Sequence, residues 1–244
     1  MEPEMKLQIV KLEDHQLLWR YMDLPKFVSM LETKGIWLAR ADTVKDKHEG
    51  KMPDEMRANI ENAYASGKLE DNQKTDIKNA DDFQDYLVKN TFISCWHKNF
   101  DENMAMWEIY GKNSNAIAVQ TTVKKVRDSV DPSGLQGFSL IMKDVQYKNA
   151  DEVKGDINYE ECFFRKRRPY EYEKEVRISL DTYDVRAPTK KNPDGFVLSC
   201  ELNMFIEEII VHPDSDDRFF NVVNSICSKY DIHASISRGK CSSK

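Results

Sequence analysis

Residues 173–183 alternate between apolar and polar side chains more clearly than any other part of the sequence. Because successive side chains of a strand point to opposite faces, this period of two predicts a β-strand. One predicted face is mainly apolar and should pack on the core; it carries Tyr172, Lys174, Val176, Ile178 and Leu180. The other face carries Glu173, Glu175, Arg177 and Ser179.

Similar but shorter strand patterns recur along the chain, with helical patterns inserted between them at irregular intervals. This order is typical of an α+β fold rather than a doubly wound parallel sheet. We therefore expect residues 1–244 to form a single domain, with helices packed around a mixed, mainly antiparallel sheet. The predicted strands are residues 17–21, 36–40, 91–97, 115–121, 138–148, 195–202, 208–212 and 232–237. The predicted helices begin after Asp23, at Pro53, at Asn103 and after Ser215, and a short helix is predicted around Phe83–Val88.

Composition limits the classes of protein that remain. The 25 aromatic residues are too many for a disordered chain, and no apolar run approaches the roughly 18 residues that span a bilayer. A net charge of −6 excludes a basic field over the whole surface, although a local basic patch is compatible with it. The five cysteines contain no C-x-x-C pair, which fits a reducing compartment. We expect a soluble, cytoplasmic protein with a mobile polar loop at about residues 70–82.

The polar face of the 173–183 strand is the first candidate for catalysis. It places Glu173 and Glu175 about 7 Å apart, with Arg177 two residues further on. Paired carboxylates beside a guanidinium can differ in pKa, so that one stays ionised while the other is suited to acid–base work. The alternative is a solvated strand face with cross-strand ion pairs.

A basic segment directly precedes this strand. Residues 165–177 contain six basic and three acidic residues, interleaved with Tyr170 and Tyr172. Such a segment can hold phosphate groups or stack on bases, and the alternative is a solvated loop. Arg20, in the apolar strand 17–21, is a second candidate, because an arginine can clamp a pyrophosphate or carboxylate with two hydrogen bonds. Its alternative is an edge-strand arginine paired with a surface acid.

Two tryptophans, a histidine and a tyrosine lie close together in residues 94–111. Trp107 and Tyr110 could line an aromatic pocket, but a Trp/Met stripe on a helix more often belongs to the core. His97 is a weak acid–base candidate, and Cys95 could act as a nucleophile only with a histidine near it in space. A metal site at Asp46, His48 and Glu49 would need a further ligand that the sequence does not indicate, so we predict no metal.

Four segments in the same order resemble a bacterial family catalogued as domain of unknown function 2971. They are LWRYMDLPKFVSMLETKGIWLARADTVKDKHEG, ISCWHKNFDENMAMWEIYG, YEKEVRISL and EEIIVHPDSDDRFFNVVNSICSKYDIHASIS. The resemblance includes an Asp-x-x-Glu loop at Asp46 and Glu49 and covers about residues 17–237.

A more distant resemblance is to ADP-ribosyltransferase-like domains. These begin with a strand carrying Arg or His, continue with a helix and a second strand, and end their site with Glu-x-Glu on a later strand. The resemblance implies that Arg20 holds the NAD phosphates or ribose. It also implies that Glu175, or else Glu173, stabilises the charge growing on the ribose, and that Tyr21, Trp37 or Trp107 stacks on nicotinamide.

Two functional hypotheses follow. The first is an NAD-using ADP-ribosyltransferase-like enzyme or NAD glycohydrolase, acting on a nucleic-acid or protein acceptor as a toxin or anti-phage defence effector. The second is a binding module for nucleic acid or a nucleotide, without catalysis. The first requires Arg20 and Glu175 to open into one pocket, because one small substrate must touch both.

Overall fold

The computed structural model describes residues 5–44, 46, 49–67, 77–111, 114–149, 152–153, 158–183 and 193–241. Eleven strands form one sheet, and two short strands pair with each other beside it. In chain order the strands are β1 Leu7–Ile9, β2 Leu17–Asp23, β3 Gly35–Arg40, β4 Thr91–Lys98, β5 Ala116–Thr122, β6 Val130–Asp131, β7 Ser139–Asp144, β8 Gln146–Tyr147, β9 Arg165–Lys166, β10 Glu175–Asp181, β11 Gly195–Cys200, β12 Glu208–Val211 and β13 Ser235–Arg238.

The main path of the sheet runs β1-β7-β10-β4-β2-β5-β12-β13, and a branch of β3, β11 and β6 joins it at β4. Strands β1 and β7 are parallel, as are β12 and β13, and the other pairs of this sheet are antiparallel. The predicted α+β class, with a mixed and mainly antiparallel sheet, is therefore confirmed.

Strand β4 exchanges one neighbour for another within its length. His97 and Lys98 pair with β2, whereas Phe92 and Ile93 pair with β3. Between them, residues 94–96 pair with β10 on one side and face the gap between β2 and β3 on the other. We call this gap the fork.

The α-helices lie between the strands, and five of the described ones begin with a side-chain N-cap. They are α1 Leu24–Thr33, α2 Asp54–Ala65, α3 Ala80–Lys89, α4 Met104–Met106, α5 Val123–Ser129, α6 Leu202–Phe205 and α7 Asp217–Lys229. As expected, Asp23 caps α1 by accepting from the Lys26 amide at 2.9 Å. The helix closes at Lys34, whose φ of 48° is left-handed, one residue before the predicted stop at Gly35.

The largest apolar core lies on one face of the sheet, which we call the core face. Val176, Ile178 and Leu180 of β10 are completely buried there. Helix α7 packs on the same core through Phe219, Val223 and Cys227. The 3.6-residue period of the sequence predicts a buried stripe of Phe219, Val222, Val223 and Ile226 on this helix. Val222 is 38% exposed, so the prediction is wrong for that residue.

Two boundaries differ from the sequence prediction. The polar loop predicted at about residues 70–82 gives way to α3 at Ala80, capped by Asn79, and residues 70–76 lie outside the described part of the chain. The strand predicted to start at Glu173 starts at Glu175. A 3₁₀ turn occupies Arg168–Glu173, and Lys174 takes a left-handed φ of 41° between turn and strand.

In the described segments, no helix combines the length and apolar character needed to cross a membrane. All the described strands from Leu7 to Arg238 except β8 and β9 belong to the same sheet. The division of the chain into domains stays a prediction.

Candidate functional site

A network of buried charged side chains lies on the face of β10 opposite the core face. Glu175 and Arg177 point to this side, and their partners across the ladder, His97 and Cys95 of β4, point there too. We call it the polar face. The side chains of Glu175 and Arg177 are only 6% and 1% exposed. The alternative of a solvated strand face is therefore wrong.

Arg177 uses all five of its N–H donors inside the protein. Its Nη1 and Nη2 grip both carboxylate oxygens of Glu49, the second at 2.9 Å. Its Nε and Nη2 donate to Glu175 Oε2 at 3.1 and 2.7 Å, and Nη1 also donates to the Phe163 carbonyl at 2.6 Å. Since no donor is left for a ligand, the geometry makes Arg177 a positioning residue rather than one that touches substrate.

Lys166 joins the two glutamates that the sequence pattern singled out. Its ammonium group bonds to Glu173 Oε2 and lies 3.7 Å from Glu175 Oε2. Although Glu173 precedes the strand, the turn that ends in Lys174 brings its carboxylate to the polar face, where it is 4% exposed. The two carboxylates do lie close together near Arg177, as expected, but Glu173 reaches this position from a 3₁₀ turn and not from the strand.

These cations fix the charge on Glu175. Burial opposes ionisation, yet Arg177 and then Lys166 attract the carboxylate strongly enough to hold its pKa below the ordinary value. For Arg177, burial also opposes the charge, but Glu175 and Glu49 raise the pKa well above its usual range. Glu175 is thus an ionised carboxylate in a site from which water is largely excluded.

Aromatic and imidazole groups adjoin the same carboxylates. The hydroxyl of Tyr110, a residue that is 38% exposed, donates to Glu173 Oε1 at 3.2 Å. His97 Nδ1 lies 2.6 Å from the Glu173 carbonyl and must donate to it, because a carbonyl only accepts. Burial lowers the pKa of His97, so its Nε2 is an unprotonated acceptor. That buried Nε2 has no hydrogen-bond partner among the described residues.

The remaining aromatic candidates differ in accessibility. Trp107 is completely buried and donates to Glu102 at 3.1 Å, and Tyr21 stacks edge-on against it with 4.8 Å between ring centres. Both belong to a small apolar cluster on the same side of the sheet as Trp19. They are therefore core residues, which is the alternative that the sequence left open for the Trp/Met stripe. Trp37 is 45% exposed and is the ring of this set most open to a ligand.

Cys95 is a poor nucleophile here. It lies opposite Arg177 in the ladder, but burial and then the charge of Glu175 raise the pKa of its thiol far above its usual value. The thiolate that would attack a substrate is therefore not formed near neutral pH.

Arg20 lies on the other side of the sheet from Glu175. Trp19 and Glu175 both pair with His97, so their side chains share the polar face and Arg20 points to the core face. There its guanidinium crosses the fork: Nη1 donates to Ser94 Oγ at 2.5 Å, and Nη2 donates to the Trp37 carbonyl at 3.4 Å. The expectation that Arg20 and Glu175 open into one pocket is wrong. The alternative is wrong too, since no described acid forms an ion pair with Arg20.

A cavity of about 270 Å³ opens beside the network. Glu49 and Lys166 lie in its wall, so it borders the carboxylates without containing Glu173 or Glu175. Basic and acidic side chains line it together with three other residues; the full lining is Asp46, Glu49, Lys51, Met52, Pro53, Asp54, Lys148, Cys162, Arg165, Lys166 and Arg167.

The described residues do not support a metal site at Asp46, His48 and Glu49. Across the described ranges, no three His, Cys, Asp or Glu side chains come together as a metal site would need. Glu49 is engaged by Arg177, and His48 lies outside the described residues.

Sequence reasoning missed two members of the network, Lys166 and Glu49, as partners of the strand. Both had signals: Lys166 stands in the basic segment, and Glu49 closes the Asp-x-x-Glu loop of the family resemblance. The contact of Glu49 with Arg177 spans 128 residues of chain and depends on the tertiary fold. The contact of Lys166 with Glu173 spans only 7 residues, but it depends on the 3₁₀ turn at Arg168–Glu173, which the sequence did not indicate.

Comparison with known proteins gives structural similarity only. No family model matches the chain, and no curated protein sequence matches it. Among solved structures, DarT from Thermus sp. 2.9 in complex with ADP-ribosylated single-stranded DNA is similar over 95% of this chain and 97% of that chain, with 8% identity and a TM-score of 0.42. The same protein with carba-NAD⁺ gives 93% and 97% coverage, 11% identity and a TM-score of 0.41. We transfer no residue role from this similarity, and membership of family 2971 stays a prediction.

Proposed function

We propose that the protein is an ADP-ribosyltransferase-like enzyme that cleaves the bond between nicotinamide and ribose in NAD. The proposal is carried by the pair of carboxylates on the polar face. Glu173 and Glu175 share one ammonium group, and Glu175 is kept ionised where little water competes. A fixed, ionised carboxylate of this kind stabilises the positive charge that develops on the ribose.

The chemistry assigned to the site is a simple displacement. The C1′–N bond breaks, its electron pair leaves with neutral nicotinamide, and C1′ accepts an electron pair from water or from an acceptor nucleophile. That nucleophile loses its proton to solvent or to Glu173, whose Oε1 already receives the Tyr110 hydroxyl. Glu175 faces the cationic carbon, and Arg177 holds Glu175 in place without touching substrate.

Exposed rings near the polar face are suited to the nicotinamide. Tyr110 adjoins Glu173 and Trp37 flanks the fork, and both keep more than a third of their surface exposed. The buried ring of Tyr21 packs edge-on against His97 and Trp107 and is not placed to stack on the substrate.

The experiment is nicotinamide release from NAD by the purified protein, alone and with DNA, RNA or protein as acceptor. Glu175→Gln should lose about 10²-fold or more in rate, because it removes the charge that stabilises the cation. NAD affinity should change much less. Glu201→Gln, an exposed glutamate off the polar face, is the matched control and should keep full activity.

Because Glu175 also binds Arg177, the melting temperature of each variant must accompany its rate. If Glu175→Gln does not fold, Glu173→Gln provides the test, since its carboxylate contacts Lys166 but not Arg177. Wild-type protein that folds but neither binds NAD nor releases nicotinamide would contradict the proposal.

The second candidate is a binding module for a nucleotide or nucleic acid. The cationic side chains of the cavity favour it, since phosphates bind such groups without any catalytic carboxylate. A binder should retain its ligand in Glu175→Gln, and no nicotinamide should appear even with the wild type.

An enzyme that consumes NAD or modifies cellular targets would serve a bacterium as a toxin or anti-phage defence effector, and we include that role in the proposal. Induced expression of the wild type should then stop growth of a bacterial host, and Glu175→Gln at the same protein level should not. Equal growth with both proteins would contradict the toxin role. The enzymatic activity would still be decided by nicotinamide release.

A further inference from the structure

We propose that the cavity beside the carboxylates is a binding site for a diphosphate group. The identity of the ligand as NAD rests on the proposed function, but the site itself rests on the cavity's own residues. Loop residues before α2, the first residue of that helix and strand β9 form its walls. It supplies the phosphate contacts that Arg20, on the other side of the sheet, cannot supply.

Charge is the first argument. Five cationic side chains line the cavity against three carboxylates. Glu49 is paired with Arg177, and Lys166 is paired with Glu173 and Glu175, which leaves four cations against Asp46 and Asp54. Lys51, Lys148, Arg165 and Arg167 form no ion pair with any residue that the structure describes. Among the described lining residues, positive charge therefore exceeds negative charge, in a protein whose net charge is −6.

An unsatisfied donor is the second argument. Arg165 donates through Nη2 to the Lys51 carbonyl at 2.9 Å, which fixes the guanidinium in the wall. Its Nη1 is buried and has no hydrogen-bond partner within the described residues. A buried cationic N–H without an acceptor is costly, and an anionic oxygen in the cavity would satisfy it.

The start of α2 adds a third contribution. This helix has 12 residues and begins at Asp54, and its N-cap, Pro53, makes no side-chain capping bond. Pro53 and Asp54 both line the cavity, so the positive end of the helix dipole lies at its edge. The carboxylate of Asp54 acts in the opposite direction and would place the anion toward the strand β9 side.

Several cations at one cavity favour a group with more than one charge, as in a diphosphate, over a single carboxylate. Lys166 connects this cavity to the chemistry, because the residue lies in the wall and its ammonium group binds Glu173 and Glu175. A diphosphate held here is one side chain away from the carboxylate pair, which is the arrangement a dinucleotide substrate requires.

The test is calorimetric titration of the whole protein with inorganic pyrophosphate and with ADP-ribose at low salt. Lys51→Gln with Lys148→Gln removes two exposed cations of the wall and should weaken binding of both probes about tenfold or more. Arg167→Gln should weaken it similarly. The matched control, Lys6→Gln with Lys229→Gln, removes the same charge from exposed positions outside the cavity and should leave affinity within about twofold.

The two proposals fail in different ways. Selective loss of pyrophosphate binding in the cavity variants supports the diphosphate site, even if NAD is never cleaved. Absence of pyrophosphate and ADP-ribose binding to the folded wild type overturns the site. Equal weakening by the cavity and control variants also overturns it, since the effect would then be one of net charge.

Discussion

The two faces of β10 are buried to the same degree but by different chemistry. On the core face Val176, Ile178 and Leu180 are 0% exposed, and on the polar face Glu175 and Arg177 are 5% and 0% exposed. The core face is covered by apolar side chains that need only fit in shape. The polar face is covered by partners that must each supply a charge or an acceptor at a defined place.

This difference shows what each face contributes. Apolar burial is non-directional and stabilises roughly in proportion to area, so its loss is graded. A buried ion pair gains little net stability, but removing one partner leaves the other charge uncompensated. The polar face therefore resists partial change, and we infer that it is kept for the arrangement of its carboxylates rather than for stability.

The largest expected effect comes from breaking the polar face at its centre. Arg177→Met keeps much of the side-chain volume and should destabilise the protein by about 3–5 kcal/mol, because Glu49 and Glu175 lose their common partner. Urea unfolding measures the change. Adding Glu49→Gln and Glu175→Gln to this variant should restore part of the loss, and no recovery would show that shape rather than charge is at fault.

The pH dependence of the same proteins sharpens the comparison. The pKa of Glu175 is lower in the folded protein than in the unfolded chain, so its contribution is present above the ordinary glutamate pKa of about 4.3. That contribution is lost as the pH falls through the folded-state pKa. The stability gap between wild type and Arg177→Met should thus narrow from pH 7 toward pH 3. If the difference in stability between the two proteins does not change with pH, Glu175 is not held as an ionised partner of Arg177.

A smaller effect is expected where the loop carrying Glu49 meets the polar face. Gly50 has a φ of +66°, and a Cβ there would lie 2.2 Å from the Phe163 ring. Gly50→Ala should cost about 2–4 kcal/mol from backbone strain and overpacking together. Gly67→Ala has the same φ sign but open space around it, and should cost about 1–2 kcal/mol in the same thermal melts. If both variants lose the same free energy of unfolding, contact with the Phe163 ring contributes nothing to the cost of Gly50→Ala.

The smallest effect belongs to the core face. Ile178→Val removes one methylene from a completely buried side chain and should cost about 1 kcal/mol. Since no charge is involved, the loss should be the same from pH 7 to pH 3. A strong pH dependence here would mean that the two faces are coupled through the strand.

Hydrophobic periodicity in the sequence was enough to predict the elements whose faces it determines directly. The alternation of residues 173–183 identified both faces of β10, and the 3.6-residue period identified α7. The boundary at Lys174 was missed because a left-handed lysine has no sequence signature comparable to glycine. The burial of Glu175 and Arg177 was missed because a polar strand face looks the same in sequence whether water or another buried charge covers it.

The site residues were predictable to the same limited extent. Glu173, Glu175 and Arg177 are within one network, as their spacing suggested, but spacing alone could not distinguish the fully engaged Arg177 from a ligand-binding one. Arg20 was misplaced for a simpler reason. Whether residues on two different strands lie on the same face of the sheet depends on the register of the strands between them. That register is set by the whole sheet and cannot be read from either strand alone.

The fork has a mechanical consequence. Among the described residues, the backbone ladder that joins the branch of β3, β11 and β6 to the main sheet has two register pairs, Ala39 with Ile93 and Arg40 with Phe92. The side chain of Arg20 bridges the same seam. Such a short seam has few backbone hydrogen bonds and is held mainly by the apolar core that the branch shares with the main sheet. In hydrogen–deuterium exchange, amides along this seam should open at lower free energy than those of the β10–β4 ladder.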